Sequence, residues 1–380
     1  MSPTRRTYLA TGAATVGGLF AGCTSATDSD AEATTGVDSY SVSMAPVGEV
    51  TFDSVPERWM AYFSTYGDMG IALGQLDGLQ GLLYTENWPL AFYDHLGVDV
   101  SFDGVPQLMG ESGLDKEAFY EMACDVHLMD PSFIGLLADD WEPQDTEEIS
   151  ANVGPVLGNS IRRRNEDWHD YPYYSLYDAF ERVATVFQER ERYEALRAVH
   201  DDLRSTIEAE RPRGDDRPTV GLLSVNSDFE NGAFYAYPVH DGNGHKQYRD
   251  LGMRGAFDDA IDGSYAEWDY EQILDVDPDA LLFQYGFSHV STEEFERRMD
   301  AMRDDPVGSQ LSAVQNDRLY RGGTSYQGPI INLFQTEAAA KQFYPDTFGE
   351  WRGLETLANE DERLFDYDRV AAIVDGSFQQ

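Results

Sequence analysis

The sequence is poor in cysteine and lysine, with two cysteines and three lysines among 380 residues. Two cysteines exclude a disulfide framework and a cysteine-based zinc site. The sequence also lacks G-x-S-x-G, a phosphate-binding P-loop and H-E-x-x-H, and its seven histidines are scattered. These absences leave no recognisable catalytic constellation, so we predict neither an enzyme, nor a metal site, nor a cofactor.

Positive charge is scarce as well. The chain has 27 basic and 69 acidic residues, which gives a formal net charge of -42. The acidic residues are spread along the whole chain, and at molar salt the Debye length falls to about 3 Å, so their mutual repulsion largely vanishes. We interpret this composition as adaptation to high salt. The lack of a basic face argues against nucleic-acid binding.

The N-terminus carries export signals. A pair of arginines is followed by the short apolar run Ala10–Gly22, and spanning a bilayer needs about 20 apolar residues. This pattern predicts a twin-arginine signal peptide over residues 1–22. The small residues before Cys23 resemble a lipobox, so Cys23 is the predicted lipidation site; an ordinary signal peptide with an incidental cysteine is the alternative. We expect a flexible acidic tether over residues 23–45 that holds the protein at the extracellular face of the membrane.

The rest of the chain has the pattern of an α/β protein. An apolar run over Trp59–Phe63 precedes the polar turn Ser64–Asp68 and a helical segment, which is the order of a βα unit in a parallel sheet. An internal repeat strengthens this interpretation, because Asp115–Met129 aligns without a gap on Asp269–Phe283. Both stretches begin Asp-x-Glu, continue through a short amphipathic helix and end in an apolar strand. The fold class predicted is therefore α/β, with two Rossmann-like lobes built on central parallel sheets.

A long helical signal separates the two halves of the repeat. Apolar residues recur at steps of three and four through this segment, which predicts one continuous helix over residues 175–212, about 50 Å long. The lobes then occupy residues 46–174 and 217–348, and residues 349–380 form a C-terminal extension.

Four segments carry a resemblance to a known family. They are Val55–Arg58 with the strand and Ser-Thr-Tyr turn after it, Ile273–Leu282, Asp305–Tyr320 and Glu337–Phe348. Their order resembles that of the solute-binding proteins of ABC importers for ferric siderophores, haem and cobalamin, here of a haloarchaeal lipoprotein type. The resemblance implies a monomer of two lobes joined by a rigid helix, with a ligand cleft between the lobes. Such a protein captures a ferric siderophore and delivers it to a membrane permease and its ATPase. Cobalamin, haem or free ferric iron is the alternative ligand, and a cell-surface enzyme or redox protein is the alternative class.

The candidate ligand-binding residues are mainly arginines and aromatics. The one dense basic cluster after the N-terminal segment consists of Arg162, Arg163 and Arg164. Guanidinium groups match anionic ligands, so this cluster is a candidate ligand site. The alternative is that the three arginines form internal salt bridges with surrounding acids. Aromatic walls suit siderophore, haem or corrin ligands. Glu117 and Glu271 hold equivalent positions in the repeat, and the resemblance makes them candidates for contact with the permease. The predicted ligand-binding residues are Ser64, Thr65, Tyr66, Trp88, Arg162, Arg163, Arg164, Tyr173, Phe229, Tyr235, Tyr237 and Tyr326.

Overall fold

The first described element is a β-hairpin. The computed structural model describes residues 39–86, 88–110, 113–138, 141–164, 167–214 and 217–378, so the predicted signal peptide and Cys23 lie outside the described residues. Strand β1 (Tyr40–Met44) pairs antiparallel with β2 (Gly48–Phe52), and the Tyr40 hydroxyl donates to the carbonyl of Val186 at 2.5 Å. The predicted tether over residues 23–45 is therefore wrong for its last residues, because a paired strand begins at Tyr40.

The N-terminal half is built on a small parallel sheet. Its three central strands are ordered β4-β3-β7, and both pairings are parallel, as predicted. Every residue of the middle strand is buried, which is typical of a parallel strand covered on both faces. In chain order the elements are β3 (Trp59–Ala61), α1 (Ser64–Ala72), β4 (Leu79–Leu82), α2 (Ala91–Leu96), β5 (Met109–Gly110), β6 (Gly113–Leu114), α3 (Lys116–Met122), β7 (Val126–Leu128), α4 (Pro131–Leu137) and α5 (Pro143–Asn152).

The predicted continuous helix over residues 175–212 is wrong, because the structure divides it into α6 (Leu176–Val186) and α7 (Arg190–Glu210). Gln188 adopts a left-handed φ of +57°, and the Glu189 amide donates back to the carbonyl of Ala184 at 2.8 Å. A left-handed residue ends a helix because it turns the chain out of the helical path. The two helices then pack against each other instead of forming one strut.

The C-terminal half holds the larger sheet. Its strand order is β11-β9-β8-β12-β13, with β10 also paired to β8. The pairings of β8 with β10 and β12, and of β12 with β13, are parallel, whereas β9 and β11 form an antiparallel edge. The elements are β8 (Thr219–Ser224), β9 (Phe234–Tyr237), α8 (Lys246–Asp250), β10 (Arg254–Gly255), β11 (Ala266–Trp268), α9 (Tyr270–Val276), β12 (Ala280–Gln284), α10 (Thr292–Asp304), α11 (Ser312–Gln315), β13 (Leu319–Arg321), α12 (Pro329–Phe343), α13 (Pro345–Phe348) and α14 (Tyr367–Asp375).

The two copies of the internal repeat fold alike. Asp115 caps α3 by accepting from the amide of Glu117, and Asp269 caps α9 by accepting from the amide of Gln272. Each helix ends in a left-handed residue, with φ of +47° and +46°, and a buried parallel strand follows. The short helix and the apolar strand predicted from the repeat are confirmed in both copies.

Helix α12 forms the centre of the molecule. All fifteen of its residues are buried, and it packs against α1, α2, α6, α7 and α8. The C-terminal extension folds back so that α14 contacts α7, α2 and α1. The described residues make one compact unit, and the predicted boundaries between lobes stay a prediction. Within the part of the chain that is described, no helix is both long and apolar enough to cross a membrane.

Candidate ligand cleft

A cleft of about 330 Å³ lies where strands of both sheets end. Phe63 and Ser64 follow β3, and Tyr285 follows β12. Side chains placed after the carboxyl ends of parallel strands meet at one edge of a sheet, where open α/β sheets bind ligands. The lining residues are Phe63, Ser64, Tyr84, Glu86, Trp88, Leu137, Asn226, Tyr285, His289, Thr324 and Tyr326.

Aromatic rings bring the two halves of the chain together in this cleft. The rings of Phe63 and Tyr326 stack with centroids 4.0 Å apart and planes inclined by 11°. The Ser64 hydroxyl donates to the carbonyl of Tyr326 at 2.6 Å, and the ring of Tyr84 also stacks on Phe63, with centroids 5.7 Å apart. The cleft therefore has an aromatic wall made from residues distant in the sequence.

Arg162 supports this wall. Its Nη1 donates to the Tyr326 hydroxyl at 3.0 Å, and its guanidinium lies 4.9 Å from the centre of that ring. It also lies 5.8 Å from the ring of Phe133. Burial raises the pKa of Tyr326 to about 12, although Arg162 acts in the opposite direction. Tyr326 is therefore a neutral donor and acceptor at ordinary pH, with a cation directly beside it.

The three arginines of the basic cluster have different surroundings. Burial raises the pKa of both Tyr326 and Tyr237, and the positive charge of Arg163 nearby partly offsets that rise. Arg164 is exposed, its amide donates to the carbonyl of Asp241 at 3.1 Å, and its guanidinium lies 5.5 Å from the ring of Tyr173. Arg162 therefore makes a hydrogen bond to a residue that lines the cleft.

The cleft lining also contains a tyrosine and a neutral histidine. Tyr285 has a left-handed φ of +65°, and its hydroxyl is 2.7 Å from the Ser325 hydroxyl. A left-handed bulky residue is uncommon and strains the backbone, a feature often found at functional sites. Burial lowers the pKa of His289 to about 4, so its imidazole is neutral beside the cleft.

Several predicted ligand-binding residues lie away from the lining. Tyr66 is fully buried and accepts from the amide of Asn159 at 2.8 Å. Phe229 packs against Phe234 in the core of the larger sheet, with ring centroids 5.3 Å apart, because the chain turns inward after β8. Nine of the twelve predicted residues lie outside the lining. Among them Thr65 is buried, Tyr173 stacks on His169, and both Tyr235 and Tyr237 contact Tyr265. The nine are Thr65, Tyr66, Arg162, Arg163, Arg164, Tyr173, Phe229, Tyr235 and Tyr237.

Ser64, Trp88 and Tyr326 are the predicted residues that line the cleft. Sequence reasoning missed Phe63, Tyr84, Glu86, Leu137, Tyr285 and His289. A signal for Tyr285 and His289 was available, because both closely follow a strong apolar strand, Ala280–Gln284, whose end should face the cleft. No sequence signal distinguished Glu86, because the chain has 69 acidic residues and most of them are expected at the surface.

Glu117 and Glu271 occupy matching positions. Each lies in the first turn of its helix, α3 or α9, and each is exposed. Acidic residues favour this position because the helix N-terminus carries partial positive charge, so solvation and helix stability already account for both. In the described part of the chain, no three His, Cys, Asp or Glu side chains group closely enough to hold a metal ion.

Comparison with known proteins identifies the family. Residues 125–326, more than half of the chain, match the periplasmic binding protein family, and the chain belongs to that family. This stretch runs from β7 of the smaller sheet to Tyr326 in the cleft. No curated protein matches the chain.

Solved structures share the fold at low identity. A periplasmic binding protein from Veillonella parvula is 13% identical, with a TM-score of 0.58, over 80% of this chain and 97% of that one. An ABC-type Fe3+-hydroxamate transport protein from Saccharomonospora viridis is 21% identical, with a TM-score of 0.55, over 78% and 96%. The iron uptake substrate-binding protein PiaA from Streptococcus pneumoniae is 17% identical, with a TM-score of 0.51, over 80% and 98%. At these identities the likeness establishes the fold alone.

Proposed function

We propose that this protein is the solute-binding component of an ABC importer and that it captures a ferric siderophore in the cleft. The observation that carries the proposal is the wall formed by Phe63 and Tyr326, with the guanidinium of Arg162 hydrogen-bonded to the Tyr326 hydroxyl. Flat aromatic faces suit a chelator, and a guanidinium suits its anionic oxygens. The iron-transport relatives described above share the fold and support the same class of ligand.

Chelated iron is favoured over bare ferric iron. Direct coordination of a hard cation needs several ionised oxygen ligands, and among the described residues that line the cleft Glu86 is the one carboxylate. Tyr326 remains protonated, since burial raises its pKa to about 12. A cleft of about 330 Å³ is near the lower end of the usual range for small-molecule sites, about 300–1,000 Å³.

Haem or cobalamin is the second candidate ligand. It is favoured by His289, because a buried imidazole whose pKa is lowered to about 4 is neutral and able to ligate a metal. His289→Ala distinguishes the candidates. It should abolish any Soret shift on haem binding but leave the affinity for a ferric siderophore within about threefold, since no metal–imidazole bond is needed there.

Fluorescence titration tests the function. Trp88 lines the cleft, so a bound ferric complex should quench its emission. We expect saturable quenching by ferric hydroxamates or catecholates at high salt, and Trp88→Phe should lose most of the quenching while the protein still binds iron. An absence of saturable binding by any ferric siderophore would reject the proposed ligand, and binding of haem or cobalamin alone would favour the second candidate.

Arg162→Gln should weaken binding of an anionic ferric siderophore by about tenfold or more, because a hydrogen-bonded charge is worth about 1.5–3 kcal/mol. Arg164→Gln is the matched control, since Arg164 is exposed and packs on Tyr173. Neutral cobalamin should bind both variants equally. Equal affinities of the two variants for the anionic complex, measured by the same titration, would show that Arg162 has no role in binding.

We further propose that the chain is exported by the twin-arginine route, is anchored through a lipid on Cys23 and works in high salt, which its net charge of -42 supports. Glu117 and Glu271 are the candidate contacts with the permease. Cys23→Ser should release intact protein into the medium. Membrane fractionation followed by immunoblotting checks this result, and a variant that stays with the membrane would contradict the lipid anchor.

A further inference from the structure

Four arginines converge at the edge of the larger sheet opposite the cleft. Arg217 precedes β8, Arg254 begins β10 and Arg318 precedes β13, so all three lie at the amino ends of parallel strands. They line a pocket of about 550 Å³. Arg211 lies beside Arg217, as the surroundings of Gly252 show. A Cβ atom built on Gly252 would overlap Nη1 of Arg211 and lie 3.2 Å from Nη1 of Arg217. We call these four residues the arginine cluster.

The arginine cluster makes no direct ion pair with a described residue. Among the described residues, no carboxylate oxygen lies within 4.0 Å of any of its four guanidinium groups. Two acids line the same pocket, Asp279 and Asp346, but the Asp279 carboxylate is engaged by the amide and hydroxyl of Thr219 at 2.8 and 2.7 Å. In the described lining, three arginines meet two acids, and Arg211 lies beside them, in a chain whose acids outnumber its bases, 69 to 27.

Internal hydrogen bonds hold part of the cluster in place. Arg217 Nη1 donates to the carbonyl of Gly252 at 2.7 Å, and Arg254 Nη2 donates to the carbonyl of Arg217 at 2.8 Å. Arg254 Nε is buried without a hydrogen-bond partner among the described residues. A buried donor without a partner is costly, whereas an anion in the pocket would supply the acceptor and the missing charge.

We propose that the arginine cluster binds a tetrahedral dianion of the phosphate or sulfate type. Such an ion offers paired oxygens that match guanidinium forks. It would bridge the strands that begin at the amino edge of the sheet, away from the ligand cleft. A free anion and the phosphate monoester of a lipid headgroup present the same chemistry to this pocket.

Isothermal titration with inorganic phosphate and with sodium sulfate tests the free ion. The ionic strength is held constant with NaCl at the lowest level that keeps the chain folded. We expect saturable one-to-one binding of at least one of these dianions to the wild type, weakened about tenfold or more in Arg318→Gln and Arg254→Gln. Arg318 makes no side-chain hydrogen bond or ion pair within the described residues, so its replacement should not unfold the chain; circular dichroism checks this.

The control keeps the charge change and moves it elsewhere. Arg204→Gln alters an exposed residue of α7 outside the pocket and should bind the dianion like the wild type. Co-sedimentation with phosphatidic acid vesicles, against phosphatidylcholine vesicles, tests the lipid source. If the wild type binds the phosphatidic acid vesicles but neither free ion, and Arg318→Gln abolishes the vesicle binding, the site is assigned to a lipid headgroup. Failure in both assays, or equal binding by Arg318→Gln and Arg204→Gln, would overturn the proposal.

Discussion

Replacing Lys341 with methionine is expected to lower the free energy of unfolding by about 3–5 kcal/mol, the usual cost of leaving one charge of a buried pair uncompensated. Lys341 Nζ lies 2.8 Å from Glu337 Oε1, and both side chains are fully buried in α12. The amine also donates to the carbonyl of Glu362 at 2.6 Å, and the Tyr367 hydroxyl donates to Glu337 Oε2 at 3.0 Å. The pair therefore joins the central helix to the C-terminal extension. Guanidinium unfolding at high salt measures the change.

The loss should depend on pH. Burial raises the pKa of Glu337, and Lys341 opposes that rise, so removing the amine leaves a carboxyl that favours its protonated form in the folded state. A group whose pKa is higher in the folded state than in the unfolded state stabilises the folded state at low pH. This stabilisation is lost as the pH rises through the pKa of the folded state. The deficit of Lys341→Met should therefore shrink as the pH falls toward the unfolded pKa of glutamate, about 4.3.

Two variants control this experiment. Lys116→Met breaks an exposed pair with Asp145 and Glu148 and should barely move the unfolding midpoint, since solvent screens such pairs. Replacing Glu337 and Lys341 together with Gln and Met should restore much of the loss, because no buried charge remains. Equal stabilities for Lys341→Met and Lys116→Met would contradict the role assigned to the buried pair.

The second large effect concerns ligand affinity. Tyr326→Ala should weaken binding of a ferric siderophore by about 30-fold or more, the loss expected when a central anchor of about 2 kcal/mol is removed. The change deletes the ring that stacks on Phe63 at 4.0 Å and the hydroxyl that accepts from Arg162 at 3.0 Å. Quenching of tryptophan fluorescence at high salt gives the dissociation constants.

Two further variants separate the parts of this effect. Tyr120 lies on α3, is 42% exposed and does not line the cleft, so Tyr120→Ala should bind like the wild type. Tyr326→Phe keeps the ring and removes only the hydroxyl, and its affinity should fall between those of the wild type and Tyr326→Ala. Wild-type affinity in Tyr326→Ala would mean that the ligand binds elsewhere.

Local chemistry made much of the fold predictable. The repeat could be recognised because Asp115 and Asp269 are N-caps that fix where α3 and α9 begin, and an apolar strand follows each helix. Capping and alternation of apolar residues are short-range effects, so they are visible in sequence. The α/β class and the parallel sheets followed from them.

Other features depend on contacts between distant residues. The apolar stripe continues on both sides of Gln188, so periodicity could not reveal that this residue turns left-handed and separates α6 from α7. The cleft presents a similar difficulty, because Ser64 and Tyr326 meet across 262 positions. Phe63 looked like part of a strand, and only the fold places its ring against that of Tyr326. Strand ends indicated the edge of the sheet, but not which side chains face the ligand.

Equilibrium dialysis of a radiolabelled ferric siderophore against the wild type and Tyr326→Ala tests the central claim most directly, because it measures bound iron without relying on a spectroscopic signal. The account predicts saturable binding of one iron complex per wild-type chain, with markedly weaker binding by Tyr326→Ala and unchanged binding by Tyr120→Ala. No saturable iron on the wild type, or the same isotherm for wild type and Tyr326→Ala, would contradict it.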